Sequence, residues 1–255
     1  MKTYKPVDEL PDGVRVAFSS VEDGSVAAGM GRPSDQHHEK NTETFLQHYG
    51  FNPARRAKVF VTYLPENTYT HIERVGENDE GAIKSDALFT TVKGKVITLP
   101  VADCVATIIY DPVAGMLGVL HLGRHASVAG LIEEFAIRVA DEAGSDPRDW
   151  RVWMSPSLQA ASNTLDYFEP PYPEKWQGFM KPQADGKIHI DIPGHNRNCF
   201  ERIGVRQENI YVSPIDTYVD DRYYSHRAAT EQNNPQRQGR MMVAAVMTDG
   251  RSLLQ

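Results

Sequence analysis

Cysteine is nearly absent: Cys104 and Cys199 are the two thiols in 255 residues. The amino terminus, MKTYKPVDELPDG, has no apolar stretch of the kind an export signal needs, so a disulfide framework is excluded as the basis of the fold and free thiols are expected. Long hydrophobic runs are missing as well, the longest being broken by Asp103 and Asp111. That leaves no segment long enough to span a bilayer, and the expectation is a soluble, cytoplasmic protein with no membrane partner. Basic residues are in deficit, 27 against 34 acidic, for a formal charge of −7. Phosphate backbones reward clustered Lys and Arg, so a nucleic-acid surface is excluded as the main purpose and a small-molecule partner is expected. There is no Gly-x-Gly-x-x-Gly, no Gly/Ser/Pro linker and no repeat, which argues against a doubly wound dinucleotide fold and for one domain over 1–255.

What is present is concentrated between Val101 and Gly130, VADCVATIIYDPVAGMLGVLHLGRHASVAG. Cys104 to Tyr110 is an apolar, β-branched run of strand length, and Asp111-Pro112 with Gly115 supplies a turn. Met116 to Leu122 then runs back apolar and stops at Gly123. The pair reads as a hairpin buried on both faces, with Cys104 at the start of one strand and His121 at the end of the other, hence at one end of the sheet. From Ala126 the period becomes helical, with Val128, Leu131, Ile132, Phe135, Ala136 and Val139 on one face. A single helix ending near Gly144 is expected to begin beside the Cys/His end.

Elsewhere the pattern is strands interleaved with few helices. Val14 to Phe18, Lys58 to Leu64, His71 to Val75, Arg151 to Met154, Lys187 to Ile192, Asn209 to Val212 and Met241 to Met247 read as strands, with a turn at Pro65-Glu66-Asn67. Ala87 to Thr91 and Lys95 to Leu99 read as a hairpin about Lys93-Gly94. Gly76 to Lys84 reads as a polar loop, and Asp166 to Pro182 as a long irregular excursion. Asn41 to Tyr49 and Asn196 to Ile203 read as short helices closed by Gly50 and Gly204. The fold class expected is α/β, an α+β sandwich with a mixed β-sheet and flanking helices.

The runs SDALFT (Ser85 to Thr90), VADCVATIIYDP (Val101 to Pro112) and HLGRH (His121 to His125) resemble the laccase-domain family, the bacterial proteins often named polyphenol oxidase or peptidoglycan editing factor. Ser155-Pro156-Ser157, DIPGHN with Asp191 and Asn196, Ser225-His226-Arg227 and Gly239-Arg240-Met241 follow in the family's order, so the resemblance covers roughly residues 80 to 247. It implies a fold related to the cysteine deamidases and a zinc-dependent site, held by one Cys and two His, that handles purine nucleosides. The sequence departs from the family in places. Its Gln-Val-His-Gly is not visible in VTYLPENTYTHIERV, where Thr68 falls at the His position. Its His-Ala-Gly-Trp-Arg-Gly is His-Leu-Gly-Arg-His-Ala here, and Ala161-Ser162 and Asp216 stand where cysteines are usual.

Cys104 and His121 are accordingly the candidate catalytic residues and metal ligands, a thiolate and an imidazole being good zinc ligands. His125, four residues beyond His121 across a Gly-containing turn, is the choice for the third ligand, with His71 as the alternative. Arg124, Arg227 and Arg240 are candidates for an anionic substrate group, because guanidinium offers a planar fork of donors to phosphate or carboxylate. Arg124 also precedes the expected helix start, where free N–H groups favour an anion. His226 is a candidate general acid/base, imidazole being the side chain type that exchanges protons most readily at neutral pH. Asp103 is placed to orient a ligand or to cap a turn.

Three functions fit these residues. The first is a zinc enzyme acting on purine nucleosides, by phosphorolysis with bound phosphate or by adenosine deamination with a zinc-bound water. The second is a metal-free Cys/His hydrolase or deamidase using Cys104 and His121. The third is a non-catalytic metal-binding or scaffold protein. A blue-copper cluster of His, Cys and Met is not apparent.

Overall fold

A computed structural model describes residues 13–28, 35–61, 71–166 and 173–248. The first half of the chain forms β1 (Val14–Phe18), α1 (Gln36–His48), β2 (Arg56–Phe60), β3 (Ile72–Arg74), β4 (Gly81–Lys84), β5 (Ala87–Thr90), β6 (Val96–Val101), β7 (Val105–Asp111) and β8 (Met116–Leu122). The second half forms α2 (Arg124–Ala129), α3 (Leu131–Ala143), β9 (Arg151–Met154), β10 (Thr164–Leu165), β11 (Met180–Pro182), β12 (Ile188–Ile190), α4 (Ile192–Arg202), β13 (Ile210–Val212), α5 (His226–Glu231) and β14 (Met241–Met247).

Two mixed sheets carry the fold, a five-stranded one in the order β1-β14-β6-β2-β4 and a six-stranded one in the order β13-β9-β7-β8-β5-β3. Strand alternation sets the layers. Met241, Val243, Ala245 and Met247 of β14 face Ala106, Ile108, Leu117 and Val119 of β7 and β8, forming the core between the sheets. The intervening Met242, Ala244 and Val246 turn outward onto Phe45 and Leu46 of α1. On the far face of the six-stranded sheet, Val105, Ile109, Leu120 and Leu122 pack under Leu131, Ile132, Phe135 and Val139 of α3 and Phe200 of α4. The result is a helix–sheet–sheet–helix sandwich, the mixed α/β architecture expected from the sequence. Each large apolar side chain so enclosed contributes about 1.5–3 kcal/mol relative to exposure.

The β7–β8 hairpin forms as expected, with Val105 opposite Leu122 and Ala106 opposite His121. Several other elements differ. β5 and β6 are not a hairpin: β5 pairs with β8 in one sheet and β6 with β14 and β2 in the other, so Thr91 to Lys95 crosses between layers. β2 and β3 likewise lie in different sheets, and the turn read at Pro65-Glu66-Asn67 lies outside the described residues. Gly81 to Lys84, read as loop, is an edge strand paired parallel to β2, and it has no alternation to betray it because most of it is exposed. α1 starts five residues early, at Gln36, because Asp35 caps it and His38 returns the bond. α4 starts at Ile192, where the Asp191 carboxylate accepts from the Gly194 amide.

The helix after β8 is two helices. Gly130 has φ +92° and ends α2 in a left-handed turn before α3 begins. The apolar period passes through this single residue unchanged, so periodicity alone does not see the break. α2 also begins at Arg124 rather than at Ala126, which makes Arg124 its first residue. Among the described residues no helix is long and apolar enough to cross a membrane.

Candidate functional site

The site is built at the end of the inter-sheet core where β7 starts and β8 stops. His121 belongs to the same alternation as Leu117 and Val119, so its ring leaves β8 on the inter-sheet side. Its backbone N–H donates to the Asp86 carbonyl at 2.9 Å. Asp86 in turn accepts from the His71 N–H through Oδ2 at 2.9 Å and donates its own N–H to the His71 carbonyl at 2.7 Å. His71, Asp86 and His121 thus stand in one row at the ends of three neighbouring strands.

Gly123 closes the corner. A Cβ on this residue would lie 3.0 Å from Cys104 Sγ and 3.2 Å from His121 Cε1, so the thiol and the imidazole converge over a backbone where a side chain fits only if one of them gives way. Burial pushes the Cys104 thiol up to about 11, with Asp103 adding to the effect while Arg240 and Arg124 oppose it. Burial brings His121 down to about 4, Asp86 opposing and Arg240 adding. His121 Nδ1 is buried and has no hydrogen-bond partner. Arg240, also largely desolvated, is pushed below its ordinary guanidinium range by burial, with Cys104 and Asp103 pulling the other way. Its Nη1 donates to the Gly239 carbonyl at 2.7 Å.

Cys104, His121, Arg240 and Arg124 are therefore brought together. His125 is half-buried and held below its ordinary value by burial and then by Arg124. Neither it nor His71 completes a set with the pair: among the described residues no group of three His, Cys, Asp or Glu side chains is arranged to hold a metal ion. Thr68 lies outside the described residues. His226 is the exposed first residue of α5, with Nδ1 3.4 Å from Gln238 Oε1. The Arg227 guanidinium is engaged within the protein, its Nη1 donating to the Thr164 carbonyl at 2.6 Å and to Glu231 at 2.8 Å.

Sequence reasoning gave no role to Asp86 or Arg237. Arg237 is buried and spends its guanidinium on backbone carbonyls, those of Thr217 at 2.6 Å, Asp220 at 3.1 Å and Tyr223 at 3.2 Å. Asp86 stands in the SDALFT motif, which was its available signal; nothing local marks Arg237.

Comparison with known proteins agrees with this architecture. A purine nucleoside phosphorylase of Bacteroides thetaiotaomicron is 30% identical over 151 residues, 56% of this chain and 55% of that protein. The match therefore spans about half the length of that relative. Purine nucleoside phosphorylase YlmD of Bacillus subtilis is 27% identical over 191 residues, 69% of this chain and 68% of its own. Adenosine deaminase RL5, from an unknown prokaryotic organism, is 28% identical over 143 residues, 54% of each chain. The crystal structure of the hypothetical protein YfiH of Bacillus licheniformis superposes with a TM-score of 0.77 at 20% identity, covering 96% of this chain and 100% of that one, which shows a shared fold. The family model described as multi-copper polyphenol oxidoreductase laccase matches residues 25–248, nearly the whole of the described structure, and the chain belongs to that family.

Proposed function

We propose that this protein is a zinc-dependent enzyme acting on purine nucleosides at the Cys104/His121 corner, with phosphorolysis as its principal reaction. The observation that carries the reading is the convergence of thiol and imidazole over Gly123, with the charge of Arg240 acting on both and that of Arg124 on the thiol. Relatives named purine nucleoside phosphorylase support the substrate class. In phosphorolysis a phosphate oxygen bonds to ribose C1′ as the C1′–N9 bond breaks; the purine leaves with a proton and ribose 1-phosphate remains. In this proposal Arg240 and Arg124 hold the phosphate, a partly desolvated guanidinium being worth more to an anion than a hydrated one. His226, exposed at the start of α5, is assigned the proton delivered to the purine. Arg227 supports this rim through Thr164 and Glu231.

Cys104 and the unpartnered His121 Nδ1 suit zinc in kind and would be two of its ligands, while His125 and His71, neither of which completes the set as placed here, are the candidates for the third. Zinc bound there supplies a Lewis acid and a water with pKa near 7. Protein purified without chelators should hold about one zinc per chain, lost in Cys104→Ser and in His121→Ala. Full retention in both variants would remove zinc from the proposal. His125→Ala and His71→Ala, titrated alike, identify the third ligand as the one whose loss weakens binding.

The relative named adenosine deaminase favours a second reading, in which water replaces the 6-amino group of adenosine and ammonia leaves. The metal-free hydrolase reading has less support, because burial holds the thiol protonated and the imidazole neutral rather than as a thiolate–imidazolium pair. Chromatography after incubation with adenosine separates the reactions. Adenine formed only when phosphate is present is the expected result; inosine formed without phosphate would put deamination first, and no product from adenosine, inosine or guanosine would favour the scaffold reading.

A further inference from the structure

The residue before Cys104 has a backbone conformation that L-residues avoid. Asp103 has φ +69°, and among the described residues the one other non-glycine with positive φ is Asn233 at +49°. Such a conformation persists where its surroundings hold it. Three long-range hydrogen bonds do so. Asp103 Oδ1 accepts from the Thr217 hydroxyl at 2.8 Å, Oδ2 accepts from the Arg227 backbone N–H at 2.8 Å, and the Asp103 carbonyl accepts from the Leu158 N–H at 2.8 Å. A carboxylate that merely capped a turn would bond within a few residues of itself, whereas these partners lie 114 and 124 positions away.

One carboxylate bond reaches Thr217, in the connection between β13 and α5, and the other reaches Arg227, in the first turn of α5. That connection is bridged to the segment after β9, where Asp216 pairs with Ser157 and the Thr217 N–H donates to the Ser157 carbonyl. Thr217 is gripped from both sides, its hydroxyl by Asp103 and its carbonyl by the buried Arg237. Beyond it lie His226 and Arg227, and the strand that follows begins next to Arg240, whose charge acts on Asp103 and Cys104 together.

We propose that Asp103 is a positioning residue: its carboxylate fixes the segment from Thr217 to Arg227 against the strand start that presents Cys104, and so sets the rim that carries His226. The inference rests on the purine nucleoside reading for its kinetic readout alone.

The test compares the wild type with Asp103→Gly, which keeps the backbone conformation and removes both carboxylate bonds, and with Thr217→Val, which keeps the charge and removes one. Amide hydrogen exchange resolved to residues 213–227 should accelerate in both, by about tenfold or more at Arg227 in Asp103→Gly, while amides of β7 and β8 stay protected. Phosphorolysis should lose about 10- to 100-fold in kcat with a smaller change in KM, since a small misplacement of reacting groups costs rate before it costs binding. A merely structural role would lower melting temperature without changing kcat in the folded protein. Unchanged exchange at Arg227 in Asp103→Gly, or faster exchange with unchanged kcat, would overturn the proposal. If the wild type turns over no purine nucleoside, that failure belongs to the functional reading, and the rate of Cys104 alkylation by iodoacetamide, followed by mass spectrometry, decides instead. Faster alkylation in Thr217→Val supports a rim held by Asp103, and an unchanged rate contradicts it.

Discussion

Gly123 shows how tightly the corner is built. A methyl group added there would lie 3.0 Å from Cys104 Sγ and 3.2 Å from His121 Cε1, so Gly123→Ala must displace one of the two groups by a few tenths of an ångström. Activity should fall at least about tenfold, while stability changes by about 1 kcal/mol or less, because the displaced groups border the core rather than fill it. An Ala variant with wild-type activity would show that the two side chains do not act together. A second residue-scale effect concerns His195, which is buried, packed at a tilt of 38° against Trp176 with 4.6 Å between centroids and 3.8 Å through Nδ1 from Cys199 Sγ. Burial lowers its pKa below 6.5, so as pH falls through that value the unfolded chain takes up a proton that the folded protein refuses, and stability declines. The contribution is fully present above about pH 6.5 and is lost on acidification. His195→Gln should therefore show a smaller drop in melting temperature between pH 7 and pH 5 than the wild type, and an equal drop would contradict the assignment. That Cys104 and His121 lie together was legible in the sequence because each sits at the end of an apolar strand run of one hairpin. Asp103 was legible only as a choice between two roles, and Arg237 not at all, since their partners are brought to them by the tertiary fold.

At the scale of elements, legibility followed pattern length. β7, β8, β9 and β14 are short apolar runs with clear stops, and they formed where their residues indicated. β4 is an exposed edge, and α5 is six residues, too short for a 3.6-residue period to stand out. The break between α2 and α3 rests on one backbone conformation at Gly130, which an L-residue adopts at a cost of about 1–2 kcal/mol. Gly130→Ala should lower the melting temperature by about 2–8 °C through that strain. A stabilising substitution would mean instead that α2 and α3 run on as one continuous helix, where Ala is the better former.

At the scale of the whole molecule, the sandwich class was readable from interleaved strands and helices, but the assignment of strands to sheets was not. Consecutive strands such as β5 and β6 share a hairpin-like spacing and yet diverge into opposite layers, because each finds its partners, β8 and β14, far along the chain. Cys104 and His121 meet instead through the β7–β8 pairing itself, which sets Val105 opposite Leu122 and Ala106 opposite His121. The acidic balance of −7 leaves the partly buried Arg240 as a local exception, a cation whose charge is felt at the thiol in a protein of opposite overall sign. The central claim, that this corner is where a purine nucleoside is split, is tested most directly by assaying adenosine and inosine phosphorolysis in the wild type, Cys104→Ser and His121→Ala, with folding of each variant verified by circular dichroism. The account predicts ribose 1-phosphate and free purine from the wild type and a loss of about 100-fold or more in kcat/KM in both variants. Folded variants that retain the wild-type rate would contradict it.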